Sequence, residues 1–510
     1  MKRGKVYLVG AGPGEPSLIT VKGLEYLRQA DVIIYDRLID YRLLDAASPD
    51  AEKIYVGKRD GCHTIEQKQI NLLMVSKARE GKRVVRLKGG DPFVLGRGAE
   101  EAEALAANNI PFEAVPGVSS AYAVPAYAGI PVTHRRLASS FTVVTGHEDP
   151  DKDRSTVAWG RASLGSDTLV ILMGMGNLAH IVRQLIQNGR PVSTPVAVIS
   201  QGTSPRQRAV TGTLDNIINR AGEESFEPPA VIVVGEVVRL RDQLCWFENL
   251  PLFGKRVLVT RAEDMAKELS QLLLGRGAIP VEMPVIKIVP PHSWKKLDRA
   301  VLNLKSYGWI VFTSVNAVEL FWKRLCALNL DARWLASVKV GAIGPATART
   351  LESKGIRPDY LPERYTSEGF VAGLRKEDMA GYRVLVPRAD IAGNELVEGL
   401  ARLGAEVHQV TAYRTVAATR SISQAKQMLL RGTIDVITFT SASTVSSLLA
   451  ILGQRWQVIR QAKLACIGPN THKALQERGL TADIVATEHT MLGLVQAIEE
   501  YFQGERRSRQ

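Results

Sequence analysis

Five segments end an apolar run in glycine or in a small polar group, an arrangement suited to holding a ligand at strand ends. They are Val9-Gly-Ala-Gly-Pro-Gly14, Arg86-Leu-Lys-Gly-Gly-Asp-Pro-Phe93, Val115-Pro-Gly-Val-Ser-Ser-Ala121, Leu169–Gly174 with its Met173-Gly174, and Val196–Gly202 with its Gln201-Gly202. Glycine lets a backbone come close to a bound group. The first segment is not a dinucleotide fingerprint, because Gly10 and Gly12 are followed by Glu15 where the third glycine belongs. Pro13 and Pro16 interrupt the turn where a phosphate-binding helix would start, and no G-x-x-x-x-G-K-[ST] occurs. A pyrophosphate cradle is disfavoured, and a flat, uncharged group such as an adenosyl moiety fits better. One such loop is ordinary turn chemistry. Five loops after strands can converge outside the carboxyl ends of a parallel sheet. Asp36 directly follows the apolar run Val32–Tyr35, so its carboxylate should emerge at a strand end as well.

The second half offers hydroxyls and arginines in duplicate. Gly254-Lys-Arg-Val-Leu-Val-Thr-Arg-Ala-Glu263 recurs as Gly381-Tyr-Arg-Val-Leu-Val-Pro-Arg-Ala-Asp390, an offset of 127 residues (254 to 381). Gly277-Ala recurs as Gly404-Ala, and Val311-Phe-Thr-Ser-Val-Asn-Ala-Val318 as Thr438-Phe-Thr-Ser-Ala-Ser-Thr-Val445, at the same offset. Ala342-Ile-Gly-Pro-Ala-Thr347 recurs as Cys466-Ile-Gly-Pro-Asn-Thr471, offset by 124 (347 to 471). The period is too long for a solenoid unit. It describes two related α/β lobes whose short apolar strands alternate with helical patterns, which implies parallel sheets. The Thr-Ser and Gly-Pro-x-Thr segments follow strands and should line a site between the lobes. Helix capping is the competing role for each hydroxyl.

The elements that position these residues belong to a chain of 510 residues, about three or four folding units at roughly 150 residues each. Apolar residues make up 45% and charged residues 23%, as in soluble globular proteins. No apolar run reaches the ~18–20 residues of a membrane-spanning helix. The first residues lack the apolar stretch of a secretory signal, so a cytoplasmic location is expected. Four cysteines without close spacing exclude a disulfide framework and a cysteine-bound zinc. The eight histidines show no paired metal-ligand spacing, so no metal is expected.

Charge is uneven. Residues 1–250 carry 30 Lys+Arg against 28 Asp+Glu, whereas 251–510 carry 35 against 24. The second half therefore suits an anionic partner. Dispersed basic residues and 6% aromatics are thin equipment for nucleic acid, so a small polyanion is favoured.

The order Val9-Gly-Ala-Gly-Pro-Gly14, Ala30-Asp-Val-Ile-Ile-Tyr-Asp-Arg-Leu38, Val56-Gly-Lys-Arg59, Arg86–Phe93 and Val115–Ala121 resembles uroporphyrinogen-III C-methyltransferase, of the tetrapyrrole methylases, over about 4–245. The second half resembles uroporphyrinogen-III synthase over about 254–502. The resemblance implies an α/β chain with a two-lobed tetrapyrrole methylase domain at 1–248. A two-lobed, internally repeated synthase domain follows at 254–505, with lobes of about 254–288 plus 415–502, and 289–414. It implies closure of hydroxymethylbilane to uroporphyrinogen III. It also implies methylation of that product at C2 and C7 with S-adenosyl-L-methionine, giving precorrin-2 for sirohaem or cobalamin biosynthesis.

Carried over residue by residue, the resemblance places Pro13, Gly89, Gly90, Asp91, Val94, Ser119, Ser120, Met173 and Gly202 against the cofactor. Asp91 would accept from ribose hydroxyls or the adenine amino group. Asp36 is implied as proton acceptor and Lys58 as proton donor; capping and carboxylate binding are their competing roles. In the second half Tyr413 is implied to assist departure of the substrate hydroxyl. Thr347, Ser441 and Thr471 fall on cleft loops, and the repeat-equivalent Arg261 and Arg388 hold carboxylates or brace loops. The methyltransferase family is usually dimeric, which implies a homodimer through the first domain, with no nucleic acid and no membrane. Two other readings remain: a cobalamin-pathway precorrin methyltransferase with a C-terminal substrate-binding module, and a basic two-lobed nucleic-acid-binding module.

Overall fold

The computed structural model describes residues 4–57, 66–146, 159–223, 226, 228–261, 263–374, 379–391, 393–417 and 423–507. It separates into two units, Met1–Gly254 and Lys255–Gln510.

The first unit holds two five-stranded sheets. One is formed by β1 (Lys5–Gly10), β2 (Val32–Tyr35), β3 (Glu52–Tyr55), β4 (Arg83–Lys88) and β5 (Phe112–Val115), in the order β3-β2-β4-β1-β5. Every pairing is parallel. Helices cover both faces of such a sheet, so its strands read as continuous apolar runs. Val84, Val85 and Leu87 of β4 accordingly have no exposed surface. Arg86 and Lys88 break the run in this central strand, yet are nearly as buried.

The second sheet contains β6 (Phe141–Thr145), β7 (Thr168–Leu172), β8 (Pro195–Ser200), β9 (Arg208–Thr213) and β10 (Ala230–Val234), in the order β6-β7-β10-β8-β9. Only β6 and β7 pair in parallel; the other ladders are antiparallel. The apolar run 231–238 reads as one strand in sequence. In the structure the strand stops at Val234, because Gly235 adopts φ 146° and Glu236–Leu240 forms a short 3-10 helix.

The second unit also holds two five-stranded sheets. One lobe has β11 (Arg256–Val259), β12 (Ile279–Glu282), β18 (Val436–Phe439), β19 (Lys463–Cys466) and β20 (Ile484–Val485), in the order β12-β11-β18-β19-β20, all parallel. The other has β13 (Ile286–Val289), β14 (Trp309–Phe312), β15 (Lys339–Ala342), β16 (Arg383–Ala389) and β17 (Glu406–Ala417), in the order β13-β17-β16-β14-β15. The chain thus leaves the first lobe after β12 and returns to it before β18. The parallel-sheet expectation needs one correction here. β13 runs antiparallel to the end of β17, with Ile286 opposite Ala417 and Val289 opposite Arg414. The residues expected at the crossing, 288/289 and 414/415, fall inside this ladder, and Ile288 packs against both lobes' cores. Each lobe has its own apolar centre, such as Phe312 edge-on to Phe321 in one and Phe439 among Leu258, Val445 and Leu448 in the other. Burying one such side chain contributes about 1.5–3 kcal/mol.

Candidate active sites

In the first unit the glycine loops meet at the carboxyl ends of β1, β4 and β5. Gly12 and Gly90 exchange both backbone hydrogen bonds, at 3.3 and 2.7 Å. A Cβ at Gly10 would lie 2.5 Å from Gly117 Cα, so glycine is required where the three loops cross. Asp91 locks the arrangement. Its Oδ1 accepts from the N–H groups of Phe93 (2.7 Å) and Val94 (3.1 Å), and its Oδ2 from that of Gly117 (3.0 Å). A carboxylate has about four acceptor sites. Three of these sites hold the loops in register, and about one is left for a further donor. Ser119 caps the helix Ser120–Tyr127, accepting from Ala121 N–H at 3.3 Å.

The loops of the second sheet join this cluster. Thr203 Oγ1, fully buried, accepts from Glu15 N–H at 3.2 Å, and a Cβ at Gly202 would collide with Val124. Seven non-glycine residues have positive φ among the described residues. Five of these, Leu95, Arg97, Met173, Gln201 and Thr203, lie on the strand-end loops; the others are Asn109 and Asn329, of a type that tolerates that region. Such conformations cost of order 1–3 kcal/mol each and concentrate at ligand sites.

These residues suit S-adenosylmethionine. Gly90, at φ 68°, faces open space, since an added Cβ would meet nothing nearer than Ser120 N at 3.8 Å. Leu38, Phe93, Val94, Leu95 and Met173 are exposed apolar side chains on the same set of strand-end loops. Peptide groups and an apolar rim match an adenosyl group.

Asp36 ends β2 and is partly exposed. Its Oδ1 accepts from Leu38 N–H at 3.0 Å, and its Oδ2 from Arg86 Nη2 at 3.1 Å. Behind it lies a buried ion cluster. Arg86 Nε donates to Glu101 at 3.0 Å, and Lys88 Nζ sits 2.9 Å from each Glu101 oxygen. Gln67 donates to the same carboxylate at 3.2 Å. Burial, then the Arg86 charge, holds the Lys88 ammonium below its ordinary pKa. Lys58 lies outside the described residues.

In the second unit Tyr413 belongs to the core of the β13–β17 lobe. Opposite it the ladder slips: Arg388 pairs with Thr411 but Ala389 with Tyr413, leaving Ala412 as an extra residue. A bulge of this kind re-aims the next side chain. The phenol oxygen lies 3.0 Å from Ser314 Oγ, in the Thr-Ser loop after β14. Burial raises the phenol pKa against contacts with Ser314 and Asn316 that lower it, so the group is a neutral donor at pH 7.

The other candidates are placed differently. Ser441 caps the helix Ala442–Leu452, accepting from Thr444 N–H at 3.3 Å. Arg388 is buried and braces its own lobe through Gln409 and the Gly393 carbonyl. Arg261 lies two residues beyond β11 and reaches the Met491 sulfur at 2.9 Å. Thr347 and Thr471 are buried in the first turns of the Gly-Pro helices Pro345–Ser353 and Pro469–Gln476.

Some contributors escaped the sequence reading. Glu101 and Thr203 are hidden in ordinary-looking segments, although two basic residues in a central apolar strand are a usable signal for a buried anion. A further repeat also passed unseen. Thr366-x-x-Gly369 and Thr490-x-x-Gly493 stand 124 residues apart (366 to 490), and each threonine caps a helix through its glycine N–H at 3.0 Å. Among the described residues no group of three or more His, Cys, Asp or Glu is placed to hold a metal ion, and no helix is long and apolar enough to cross a membrane.

Comparison with known proteins matches the two parts of the chain to different families. Residues 5–218 match the family Tetrapyrrole (Corrin/Porphyrin) Methylases, and 267–496 match Uroporphyrinogen-III synthase HemD. The Porphyrin biosynthesis protein HemD of Ruminiclostridium josui is 38% identical over 500 residues, covering 98% of both chains. The Uroporphyrinogen-III C-methyltransferase of Methanocaldococcus jannaschii is 57% identical over 240 residues, 47% of this chain and 98% of that one. The S-adenosyl-L-methionine-dependent uroporphyrinogen III methyltransferase of Methanosarcina barkeri is 53% identical over 241 residues, 47% of this chain and 94% of that one. The chain belongs to the family of the Porphyrin biosynthesis protein HemD, with a tetrapyrrole methylase region preceding a uroporphyrinogen-III synthase region.

Proposed function

We propose that this chain catalyses two consecutive steps: closure of hydroxymethylbilane to uroporphyrinogen III, then methylation of that product at C2 and C7 to precorrin-2. The observation that carries this reading is the full-length relationship to HemD of R. josui, with both family matches in one chain. The glycine crossing of Gly10, Gly90 and Gly117, open on its Gly90 side, supports it physically.

In the methylase unit, S-adenosylmethionine supplies an electrophilic methyl group when bound. Pro13, Gly89, Gly90, Val94, Ser119, Ser120, Met173 and Gly202 hold it through backbone and apolar contacts, and Asp91 keeps their loops in register. An electron-rich pyrrole carbon takes the methyl group and the ring then loses a proton. Asp36 accepts that proton on a lone pair that Arg86 and Leu38 leave free. Where the ring's double bonds shift, Lys58 gives a proton to one carbon as another proton leaves elsewhere, so each methyl gained is matched by one proton lost. In the synthase unit Tyr413 gives a proton to the departing hydroxyl, which leaves as water. Arg261, Thr347, Arg388, Ser441 and Thr471 orient the substrate carboxylates, some directly and some by bracing their loops. We place the protein in the cytoplasm as a homodimer through its first unit.

The test of the methylase assignment is transfer of labelled methyl from S-adenosylmethionine to uroporphyrinogen III under anaerobic conditions. Asp36→Asn should lower turnover at least ten-fold while leaving cofactor affinity within two-fold. Equal losses in both would reduce Asp36 to a turn-capping residue.

A further inference from the structure

The two copies of the Thr-Ser loop have diverged in what their serines bond. In Thr440-Ser-Ala-Ser-Thr444 the loop is closed on itself. Ser441 Oγ lies 2.8 Å from Ser443 Oγ and accepts from Thr444 N–H, while Ser441 N–H donates to Thr444 Oγ1 at 3.4 Å. In Thr313-Ser-Val-Asn-Ala317 the capping contact remains, since Ser314 Oγ accepts from Ala317 N–H at 3.2 Å. The partner at the position of Ser443 is now Asn316, and the serine hydroxyl turns to Tyr413 at 3.0 Å. Against the burial that raises the phenol's pKa, Ser314 and Asn316 of this loop both favour its ionised form. A residue inserted at the Ala412 bulge brings the phenol to this loop.

A phenol has one proton and two lone pairs. Ser314 Oγ already accepts from Ala317 N–H, which leaves its O–H to donate to the phenol oxygen and the phenol's own proton to point elsewhere. We propose that Ser314 and Asn316 are positioning residues for the synthase reaction: they hold the Tyr413 oxygen as an acceptor and so aim its proton away from the loop, at the substrate's departing hydroxyl. The duplicated loop in the other lobe, with its serines paired to each other, has no phenol to aim. The inference rests on the role given to Tyr413 under the proposed function.

The experiment is a double-mutant cycle on the full chain, anaerobic, with hydroxymethylbilane as substrate and the ratio of type III to type I uroporphyrinogen as readout. Each lost hydrogen bond should lower kcat for the type III isomer by about three- to ten-fold with KM within two-fold. Ser314→Ala also removes a helix cap, so Asn316→Ala, which leaves the cap intact, carries the test if the first variant does not fold. Ser314→Thr keeps the hydroxyl and should restore the rate. Tyr413→Phe should lower the rate further, and adding Ser314→Ala or Asn316→Ala to it should change nothing more. Additive losses in the double variants, or a raised KM at unchanged kcat, would overturn the inference while leaving the synthase activity standing. A wild-type chain that forms only the type I isomer would instead overturn the synthase reading itself.

Discussion

The buried ion cluster of β4 can be tested by Glu101→Ala. The carboxylate has no exposed surface, and it faces Arg86 Nε at 3.0 Å and Lys88 Nζ at 2.9 Å, both nearly as buried. Removing it leaves two interior cations whose remaining ion-pair partner among the described residues is Asp36, 3.1 Å from Arg86. Breaking such a buried pair costs about 3–5 kcal/mol, because the remaining charge stays desolvated. Lys88 limits the loss, since burial already disfavours its charged form. For a unit of this size each kcal/mol moves Tm by about 2–4 °C. Differential scanning calorimetry of the full chain should therefore show one transition falling by roughly 6–20 °C. Hydrogen exchange should assign that transition to β4 and its neighbours. Pairing Glu101→Leu with Lys88→Met replaces part of the cluster by apolar groups and should recover much of the loss. A shift below about 2 °C for Glu101→Ala would mean the cations are hydrated, and would refute the reasoning.

Other expectations concern separate parts of the chain. Gly117→Ala would drive its methyl group into Gly90 O and Gly10 Cα, so calorimetric titration should show S-adenosylmethionine binding lost while type III product still forms. Glu113 pairs with Lys22 and accepts from Lys5 and Tyr26, and these contacts depress its carboxyl from 4.5 to about 2. A depressed carboxylate stabilises the fold above its unfolded pKa and loses that effect as pH falls through its folded value. Glu113→Gln should therefore lower the urea midpoint at pH 7, and the gap from wild type should close between pH 4.5 and about 2. Burial pushes the Cys466 thiol up to about 12, whereas Cys326 is exposed. A thiol reagent at pH 8 should label Cys326 in the folded protein and Cys466 only after unfolding.

The glycine loops were legible in sequence because close backbone approach demands glycine, and the structure crosses them at Gly10, Gly90 and Gly117. The duplication of the second half was equally visible, since strand ends and helix starts repeat residue types. Roles that depend on which way a side chain turns were not legible. Asp91 has the type of a ribose ligand, and only the fold shows that its oxygens also accept from three backbone N–H groups. Ser314 and Ser441 occupy one repeat position, and only packing reveals that one meets a phenol and the other a serine. The antiparallel β13 escaped because its four residues read like any short buried strand; direction is fixed by the far end of β17, more than 120 residues on. Arg388 reads in sequence as a carboxylate ligand or a loop brace, and nothing there announces the Gln409 side chain and Gly393 carbonyl that it bonds.

The central claim is that one chain performs both steps. It is tested most directly by incubating the full chain anaerobically with hydroxymethylbilane, with and without S-adenosylmethionine, and separating products by isomer and mass. Without the methyl donor the product should be uroporphyrinogen III; with it, the same skeleton carrying two added methyl groups. Type I uroporphyrinogen alone, or type III product that gains no methyl group when the donor is present, would contradict the account.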